Sequence, residues 1–409
     1  MWARARFDIR DRDLGYGMRA CLKRLEREPL VDELQSMWTP DGDAITAFSV
    51  RSGFDLLLQA LALDPGSEIM FSALNIKGMV NVAKRLDLLP VPVDLDLATG
   101  RPDLGAMERA LSPRTKAFVV APLFGARFDM TSVVEFTKRN GILLIEDCAQ
   151  AFHGLGYTGT EPADVSMFSF GPLKFATAIG GAMFRVRDPD LLVRMRNIQS
   201  EYPVQSSRGF FKRLLKFRGL RLLTTRPVLG TVEWSFRVRG KDYEDAVTDA
   251  VRGVAKLGTA NKIRTRCAAP LLALMKRRLT EFHPDGLAPR RRTARLLLDN
   301  IKDHVTCPGA SNDDHNFWAF PVVVKDPHHV MATLRRAGFD AATLRRSATV
   351  RAPEDRAHLE PVVAKEALSR LVVIPCYPEM RDTEIERLAS ILCEAANAPT
   401  TTEAGTRAG

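Results

Sequence analysis

Two short segments of the chain combine residue types that can do covalent chemistry. In residues 144–154 an apolar run ends in the acidic pair Glu146 and Asp147, and a carboxylate at a strand end can hold a positively charged ring nitrogen. In residues 168–181, Lys174 lies among apolar and small residues just before a Gly pair. Such surroundings lower the pKa of a lysine by desolvation, which frees its amine to attack a carbonyl. Either segment alone is weak evidence, because a strand-end Asp commonly caps a turn and a lysine in an apolar loop commonly reaches solvent.

Short apolar runs alternate with amphipathic stretches between about residues 47 and 186, and this rhythm predicts the elements that position both segments. The runs comprise residues 68–71, 116–121 and 142–145. Short strands separated by helices are typical of a mainly parallel sheet covered on both faces, and ligands of such sheets bind at the carboxyl ends of strands. We therefore expect an α/β fold with a large domain at 46–199, preceded by an N-terminal segment at 1–45.

The remainder of the chain follows a different pattern. Residues 200–258 are rich in Arg, Lys and aromatic residues and are interpreted as a basic insertion or connection. Downstream, we predict helices and one strand, in the order helix 268–279, helix 290–301, strand 316–324, helix 330–337 and helix 382–392. These elements predict a smaller C-terminal α+β domain at 259–398. The tail at 399–409 lacks apolar periodicity and is expected to be disordered.

Composition narrows the class of protein. The net charge of +10 and the pI near 9.5 favour anionic partners, but no zinc-finger spacing or helix-turn-helix signature indicates nucleic acid. The six cysteines are scattered without a CxxC pair or a His at ligand spacing, so no metal site is predicted. No apolar run is long enough to cross a bilayer and the charged start does not resemble a signal peptide. We expect a cytoplasmic protein.

The stretch at 210–223 requires a separate interpretation. On a helix its apolar residues cluster, while Lys212, Arg213, Lys216 and Arg218 spread over the remaining face. Basic amphipathic helices can lie in an anionic membrane interface, which would make the protein membrane-peripheral. The alternative, which we favour, is a helix packed on its own subunit or on a dimer partner.

The order and spacing of Asp147, Ser169 and Lys174 resemble those of the DegT/DnrJ/EryC1/StrS family of sugar aminotransferases, which depend on pyridoxal 5'-phosphate (PLP). In that family a strand ends in IEDxAQ, and a later SFxxxK segment leads into a Gly pair. Further similar segments are 52–53, 65–68, 91–96 and 374–378. The resemblance spans about residues 50 to 392 and implies the PLP-dependent transferase fold type I, in which a large domain with a mainly parallel sheet is followed by a smaller α+β domain.

This resemblance implies a role for each position of the IEDxAQ segment and for the lysine. Lys174 would hold PLP as a Schiff base and shuttle a proton once the substrate has displaced it. Asp147 would keep the pyridine nitrogen protonated, so that the ring acts as an electron sink. Gln150 would hydrogen-bond the phenolic oxygen of PLP, and Ala149 would pack against one face of the ring. His153 and Glu146 are interpreted as structural residues.

The resemblance also implies a phosphate site. Ser169 and the backbone N–H groups of Gly53 and Phe54 would hold the phosphate, the latter two at a helix N-terminus beside Ser52. The family usually has Thr where this chain has Phe54, so that hydroxyl contact is missing. The aromatic residue that stacks on the ring in the family aligns with Ile76. Such departures indicate a divergent member.

The function implied is transfer of an amino group from an amino acid, with glutamate as the expected donor, to a keto group of a nucleotide-linked keto-deoxysugar. The family acts as homodimers on small-molecule substrates, and we expect a homodimer here. Two alternatives remain open. One is a different PLP chemistry on the same scaffold, and the other is a non-catalytic PLP-binding or regulatory protein.

Overall fold

The computed structural model describes residues 1–4, 6–239, 263–344 and 347–398. Within these ranges no helix is both long and apolar enough to span a bilayer. The tail at 399–409 and the second part of the 200–258 segment, from residue 240 onward, lie outside the described residues.

A seven-stranded sheet forms the centre of the larger part of the chain. Its strands are β1 (Ala44–Ala47), β2 (Glu68–Ser72), β4 (Leu89–Val93), β5 (Thr115–Val120), β6 (Leu143–Asp147), β7 (Val165–Ser169) and β8 (Ala182–Val186). They lie in the order β1-β8-β7-β6-β5-β2-β4. The strands β7, β6, β5, β2 and β4 run parallel, whereas β8 runs antiparallel to both of its neighbours. The predicted mainly parallel sheet is confirmed.

Helices with buried apolar residues pack on this sheet or on one another. They are α1 (Asp11–Leu22), α2 (Arg27–Trp38), α3 (Val50–Leu61), α4 (Lys77–Lys84), α5 (Leu104–Ala110), α6 (Thr131–Asn140), α7 (Pro189–Ser200), α8 (Ser207–Leu223) and α9 (Arg226–Val238). A short strand, β3 (Leu74–Ile76), pairs outside the main sheet with β11 (Ser347–Thr349).

The elements of the C-terminal part are α10 (Ala269–Thr280), α11 (Ala288–Ile301), β9 (Phe320–Val323), α12 (Pro327–Arg336), β10 (Ala342–Thr343), α13 (Val362–Arg370), β12 (Leu371–Ile374) and α14 (Asp382–Asn397). Its three strands form an antiparallel sheet of their own, in the order β10-β12-β9. The strand predicted at 316–324 is therefore shorter than expected. Its first residues bend away because Phe317 has a left-handed backbone (φ 49°) and the Asn316 amide donates to the carbonyl of Phe152 (3.0 Å).

Helix α8 contains the whole basic stretch at 210–223, and four of its apolar side chains are buried. Phe210, Leu214, Phe217 and Leu220 lie in a core cluster with residues of α1 and α10. This observation confirms intramolecular packing for the apolar face. Leu215, together with Leu222 and Leu223 at the end of the helix, remains exposed.

Candidate active site

The carboxyl ends of the central strands bring the predicted site residues to one edge of the sheet. Asp147 is the last residue of β6 and Ser169 is the last residue of β7. Because parallel strands end on the same side of the sheet, both side chains lie near the loop that carries Lys174. Asp147 at the end of β6 and Lys174 in the loop after β7 thus lie at the same edge of the sheet. This placement is compatible with the pairing that the family resemblance implies.

Burial changes the protonation of this pair. Burial raises the pKa of Asp147 to about 6, although the Ala149 N–H donates to its Oδ1 (3.1 Å) and the charge of Lys174 lowers the pKa. Burial likewise lowers the pKa of Lys174 to about 8, and the charge of Asp147 opposes that shift. An amine with a pKa near 8 is partly neutral at physiological pH, which is the form that attacks a carbonyl.

Trp318 covers the lysine and was not identified from the sequence. The Lys174 Nζ lies 3.9 Å from the centre of the Trp318 ring, a distance at which the ring face attracts an ammonium group. The Trp318 Nε1 donates to the carbonyl of Leu173 (2.6 Å), which anchors the ring to the lysine loop. No local pattern could have identified Trp318, because it comes from the C-terminal part of the chain.

Gln150 and Ala149 follow Asp147 directly and are both half-buried. The Gln150 Oε1 accepts a hydrogen bond from the N–H of Phe124 (2.7 Å), so its amide nitrogen is the group left to donate. Phe124 has a left-handed backbone (φ 58°). An amide donor facing the site is the group that a phenolic oxygen would need, and Ala149 leaves room beside it.

The start of α3 differs from the expected phosphate turn. The helix begins at Val50 with Ser49 as its N-cap, and the Gly53 N–H donates to the carbonyl of Ser49 (2.9 Å). The Ser52 hydroxyl donates to the carbonyl of Ile263 (2.5 Å). The structure thus corrects the expectation of free donors here, because Gly53 and the residue after it lie inside the helix and the Ser52 hydroxyl is already used.

Packing explains why glycine and phenylalanine occupy positions 53 and 54. A Cβ atom at Gly53 would come within 2.2 Å of the Phe184 ring on β8, so glycine allows the helix to lie close to the sheet. The Phe54 side chain is fully buried and contacts Phe71 edge to face, with ring centres 6.1 Å apart. Neither position is available to a ligand through its side chain.

Three further residues singled out from the sequence are Ser169, Ile76 and Glu146. Ser169 is half-buried, and its Oγ accepts a long hydrogen bond from the Gly171 N–H (3.4 Å). Ile76 is the exposed N-cap of α4. Glu146 accepts hydrogen bonds from Tyr157 and from the backbone of Thr160, both at 2.6 Å, so its interpretation as a structural acceptor is confirmed.

His153 also has a structural environment. Its Nδ1 lies 2.7 Å from the carbonyl of Ala151 and its Nε2 lies 3.0 Å from Asp314. Burial lowers the pKa of this imidazole to about 4. A buried, neutral ring that donates from Nδ1 to a backbone carbonyl agrees with the predicted structural role.

The side chains at this edge fit PLP. A buried carboxylate with a raised pKa is stabilised by a cation, and a protonated pyridine nitrogen is such a cation. The desolvated amine of Lys174 suits an aldehyde, and the Gln150 amide suits an oxygen acceptor. In the described part of the chain, no three His, Cys, Asp or Glu side chains converge as metal ligands.

Two curated relatives share part of their sequence with this chain. The chain is 32% identical over 161 residues to the GDP-perosamine synthase of Caulobacter vibrioides, and the match covers 39% of this chain and 43% of that protein. It is 32% identical over 160 residues to the L-glutamine:2-deoxy-scyllo-inosose aminotransferase of Streptomyces kanamyceticus, covering 38% and 37%. The chain thus aligns with less than half the length of each relative.

Solved structures cover nearly the whole chain. The aminotransferase TlmJ from Streptoalloteichus hindustanus has a TM-score of 0.69 at 18% identity, covering 97% of this chain and 98% of that one. The ntda protein of Bacillus subtilis, with bound cofactor PMP, has a TM-score of 0.64 at 18% identity, covering 95% and 83%. These similarities confirm the predicted fold class. The sequence profile of the DegT/DnrJ/EryC1/StrS aminotransferase family matches residues 36–393. The chain therefore belongs to the DegT/DnrJ/EryC1/StrS aminotransferase family.

Proposed function

We propose that this protein is a PLP-dependent aminotransferase that moves an amino group from an amino acid, with glutamate as the candidate donor, to a keto group of a nucleotide-linked deoxysugar. The observation that carries the proposal is the placement of Lys174, beside the Trp318 ring in the loop after β7, at the edge of the sheet where β6 ends in the buried carboxyl of Asp147. Family membership and the names of the two curated relatives support the reaction and the sugar-like acceptor. The basic charge of the chain suits a pyrophosphate-bearing acceptor.

PLP, when bound, supplies an electron sink for a carbanion formed next to the transferred nitrogen. Asp147 would orient the cofactor and keep its ring nitrogen charged. Lys174 would carry the proton at its Nζ between substrate and cofactor, and its low pKa lets the amine both accept and release that proton near neutral pH. Trp318 restricts the approach of water to the amine from one side.

Gln150 and Ser169 would position the cofactor rather than exchange protons. The amide nitrogen of Gln150 is the donor for an oxygen on the ring, and the Ser169 hydroxyl is a donor for the phosphate group. Ala149 would pack on one face of the ring, since a larger side chain would fill that space. Ile76 would provide an aliphatic contact at the rim where relatives place an aromatic ring.

The absorption spectrum tests the proposal. Wild-type protein supplied with PLP should show a visible band that bleaches when glutamate is added, whereas Lys174→Ala should lack or shift this band. Lys116→Ala is a matched control, because Lys116 is an exposed lysine on β5, and it should behave as wild type. A wild-type protein without a visible band after PLP has been supplied would refute the enzyme proposal.

Two further outcomes would identify the alternatives. A band that forms on Lys174 but does not respond to any amino donor would favour a PLP-binding or regulatory protein. A band that responds to an amino donor and yields an eliminated product instead of an aminated one would favour a different PLP chemistry. The same family membership leads us to propose a homodimer, which sedimentation equilibrium of the holoenzyme would test.

A further inference from the structure

Two arginines, Arg51 and Arg213, lack acceptors among the residues that the structure describes. Arg213, on α8, has a buried Nε atom without a hydrogen-bond partner. Arg51, in the first turn of α3, is half-buried, and neither guanidinium group forms an ion pair or a hydrogen bond in the described parts of the chain. The buried Nε of Arg213 is costly without an acceptor, because this N–H group has lost water and gained no hydrogen bond.

The glycine pair after Lys174, Gly180 and Gly181, lies between Arg213 and the start of α3. The Arg213 Cζ lies 3.9 Å from the position of a Cβ atom at Gly180. The next residue, Gly181, donates its N–H to the carbonyl of Phe48 (3.1 Å), immediately before the N-cap of α3. The guanidinium group of Arg213 therefore lies beside the first turn of α3, where a helix dipole concentrates positive charge.

Arg51 extends from that first turn towards the start of a second helix. A Cβ atom at Gly78, in the first turn of α4, would lie 2.8 Å from the Arg51 Cδ. The absence of a side chain at Gly78 therefore leaves room for the Arg51 side chain. The first-turn N–H groups of Val50 and Arg51 have no acceptor within α3. The side chains of Arg51 and Arg213 and the N-terminus of α3 thus lie in the same part of the structure.

The electrostatic environment of the two arginines favours an anion. Burial and then the charge of Arg85 lower the pKa of Arg51. Burial, together with the charge of Arg51, lowers the pKa of Arg213 to about 10. The nearby Cys267 provides no counter-charge, because burial raises the pKa of its thiol to about 12. A ligand with negative charge would relieve both the repulsion and the loss of hydration.

The place of this cluster in the sheet indicates which anion it binds. Ser169 pairs with Ala182 on β8, and Ala182 pairs with Ala47 on β1. Two strand spacings, about 10 Å, therefore separate Ser169 from the end of β1, and Lys174 lies in the loop between β7 and β8. The hydroxyl that the family places at position 54 is missing and the donors of residues 52 and 53 are already used. A phosphate group here needs other donors.

We propose that Arg51 and Arg213 bind the phosphate group of the cofactor, at the N-terminus of α3 and beside Gly180. For the identity of the ligand this inference rests on the proposed function. It assigns a role to helix α8 of the basic segment, which would position the Arg213 guanidinium group at the site. Guanidinium groups bind phosphate through paired, charge-assisted hydrogen bonds.

Equilibrium dialysis of cofactor-free protein against PLP and against pyridoxal, which lacks the phosphate, tests the inference. Arg51→Gln and Arg213→Gln should each weaken PLP binding about tenfold or more, since a charged hydrogen bond is lost. Their affinity for pyridoxal should stay within about threefold of wild type. Arg218→Gln is the matched control, because Arg218 lies on the same helix and is exposed, and it should bind both compounds as wild type does.

Several results would overturn the inference. Equal losses for PLP and pyridoxal would mean that the arginines support the fold, and unchanged PLP binding in both variants would mean that they do not contact the phosphate. Unchanged PLP binding combined with weaker binding of a nucleoside diphosphate would assign the arginines to the substrate instead. If the variants do not fold, wild-type protein still decides, because inorganic phosphate should compete with PLP and not with pyridoxal.

The two proposals can fail separately. Dialysis detects bound PLP whether or not it reacts with Lys174. Arginine-dependent binding without a visible band would refute the aminotransferase proposal and leave the phosphate site intact. A wild-type band that responds to glutamate, together with unchanged PLP affinity in Arg51→Gln and Arg213→Gln, would support the aminotransferase proposal and refute the phosphate site.

Discussion

The substitution Asp147→Asn should stabilise the cofactor-free protein while impairing cofactor binding. Burial raises the pKa of Asp147 from 3.8 to about 6. Native protein therefore binds a proton at this carboxyl more tightly than the unfolded chain does, so stability falls as the pH rises from 3.8 to 6 and stays low above 6. At about 1.4 kcal/mol per unit, a shift of about two units corresponds to about 3 kcal/mol at neutral pH.

Asparagine avoids this penalty, but part of the gain is offset. The amide has its own cost of burial, and Lys174 loses the attraction of a carboxylate. We expect a net gain of about 1–2 kcal/mol in the free energy of unfolding above pH 7. In wild type, Asp147 loses its proton as the pH rises from 5 through its native pKa of about 6, and stability falls with it. The difference in free energy of unfolding between the variant and wild type should therefore grow by about 1.4 kcal/mol from pH 5 to pH 7.5.

Urea unfolding of cofactor-free protein at pH 5 and pH 7.5 measures this difference. Asp303→Asn, at an exposed carboxylate after α11, is the control and should show no such growth. Added PLP should stabilise wild type more than Asp147→Asn, which would reverse the order of stability. A variant that is less stable than wild type by the same amount at both pH values would refute the reasoning, since it would mean that the buried charge carries no net cost.

Two further substitutions test the packing around the site. Gly53→Ala should lower the free energy of unfolding by about 1–3 kcal/mol, because its methyl group would collide with the Phe184 ring, whereas Gly219→Ala, in open space on α8, should raise it by about 0.5–1 kcal/mol. Equal changes in thermal stability for Gly53→Ala and Gly219→Ala would contradict the packing argument. Trp318→Phe keeps a ring near Lys174 but removes the donor to the Leu173 carbonyl, and should cost about 0.5–1.5 kcal/mol. A variant as stable as wild type in urea would show that this hydrogen bond contributes nothing.

Several elements could be predicted from the sequence because their signals are local. The apolar runs at 68–71, 116–121 and 142–145 correspond to β2, β5 and β6, displaced by no more than about two residues. A strand needs only a short apolar run between turn residues, and both are visible in the sequence. Once the strands are parallel, their carboxyl ends must share an edge, which explains why Asp147 and Lys174 could be brought together in advance.

The start of α3 could not be placed from the motif alone. The resemblance placed the start of this helix near Ser52, whereas Ser49 caps it three residues earlier by accepting a hydrogen bond from the Ser52 N–H (3.2 Å). Serine is a strong N-cap residue, so both positions were compatible with the sequence. The close packing of Gly53 against Phe184 selects the longer helix.

Local patterns thus specified the strands, the amphipathic helices and the order of the chemical groups along the chain. Only the tertiary structure decided which groups face one another. The helical pattern of 210–223 spread four basic residues over one polar face, but packing against α1 and α10 turns Arg213 inward towards Gly180 while Arg218 stays exposed. Trp318 reaches Lys174 from the C-terminal part of the chain. The period of a sequence determines which face of an element is apolar, whereas contacts between distant segments depend on how those faces pack together.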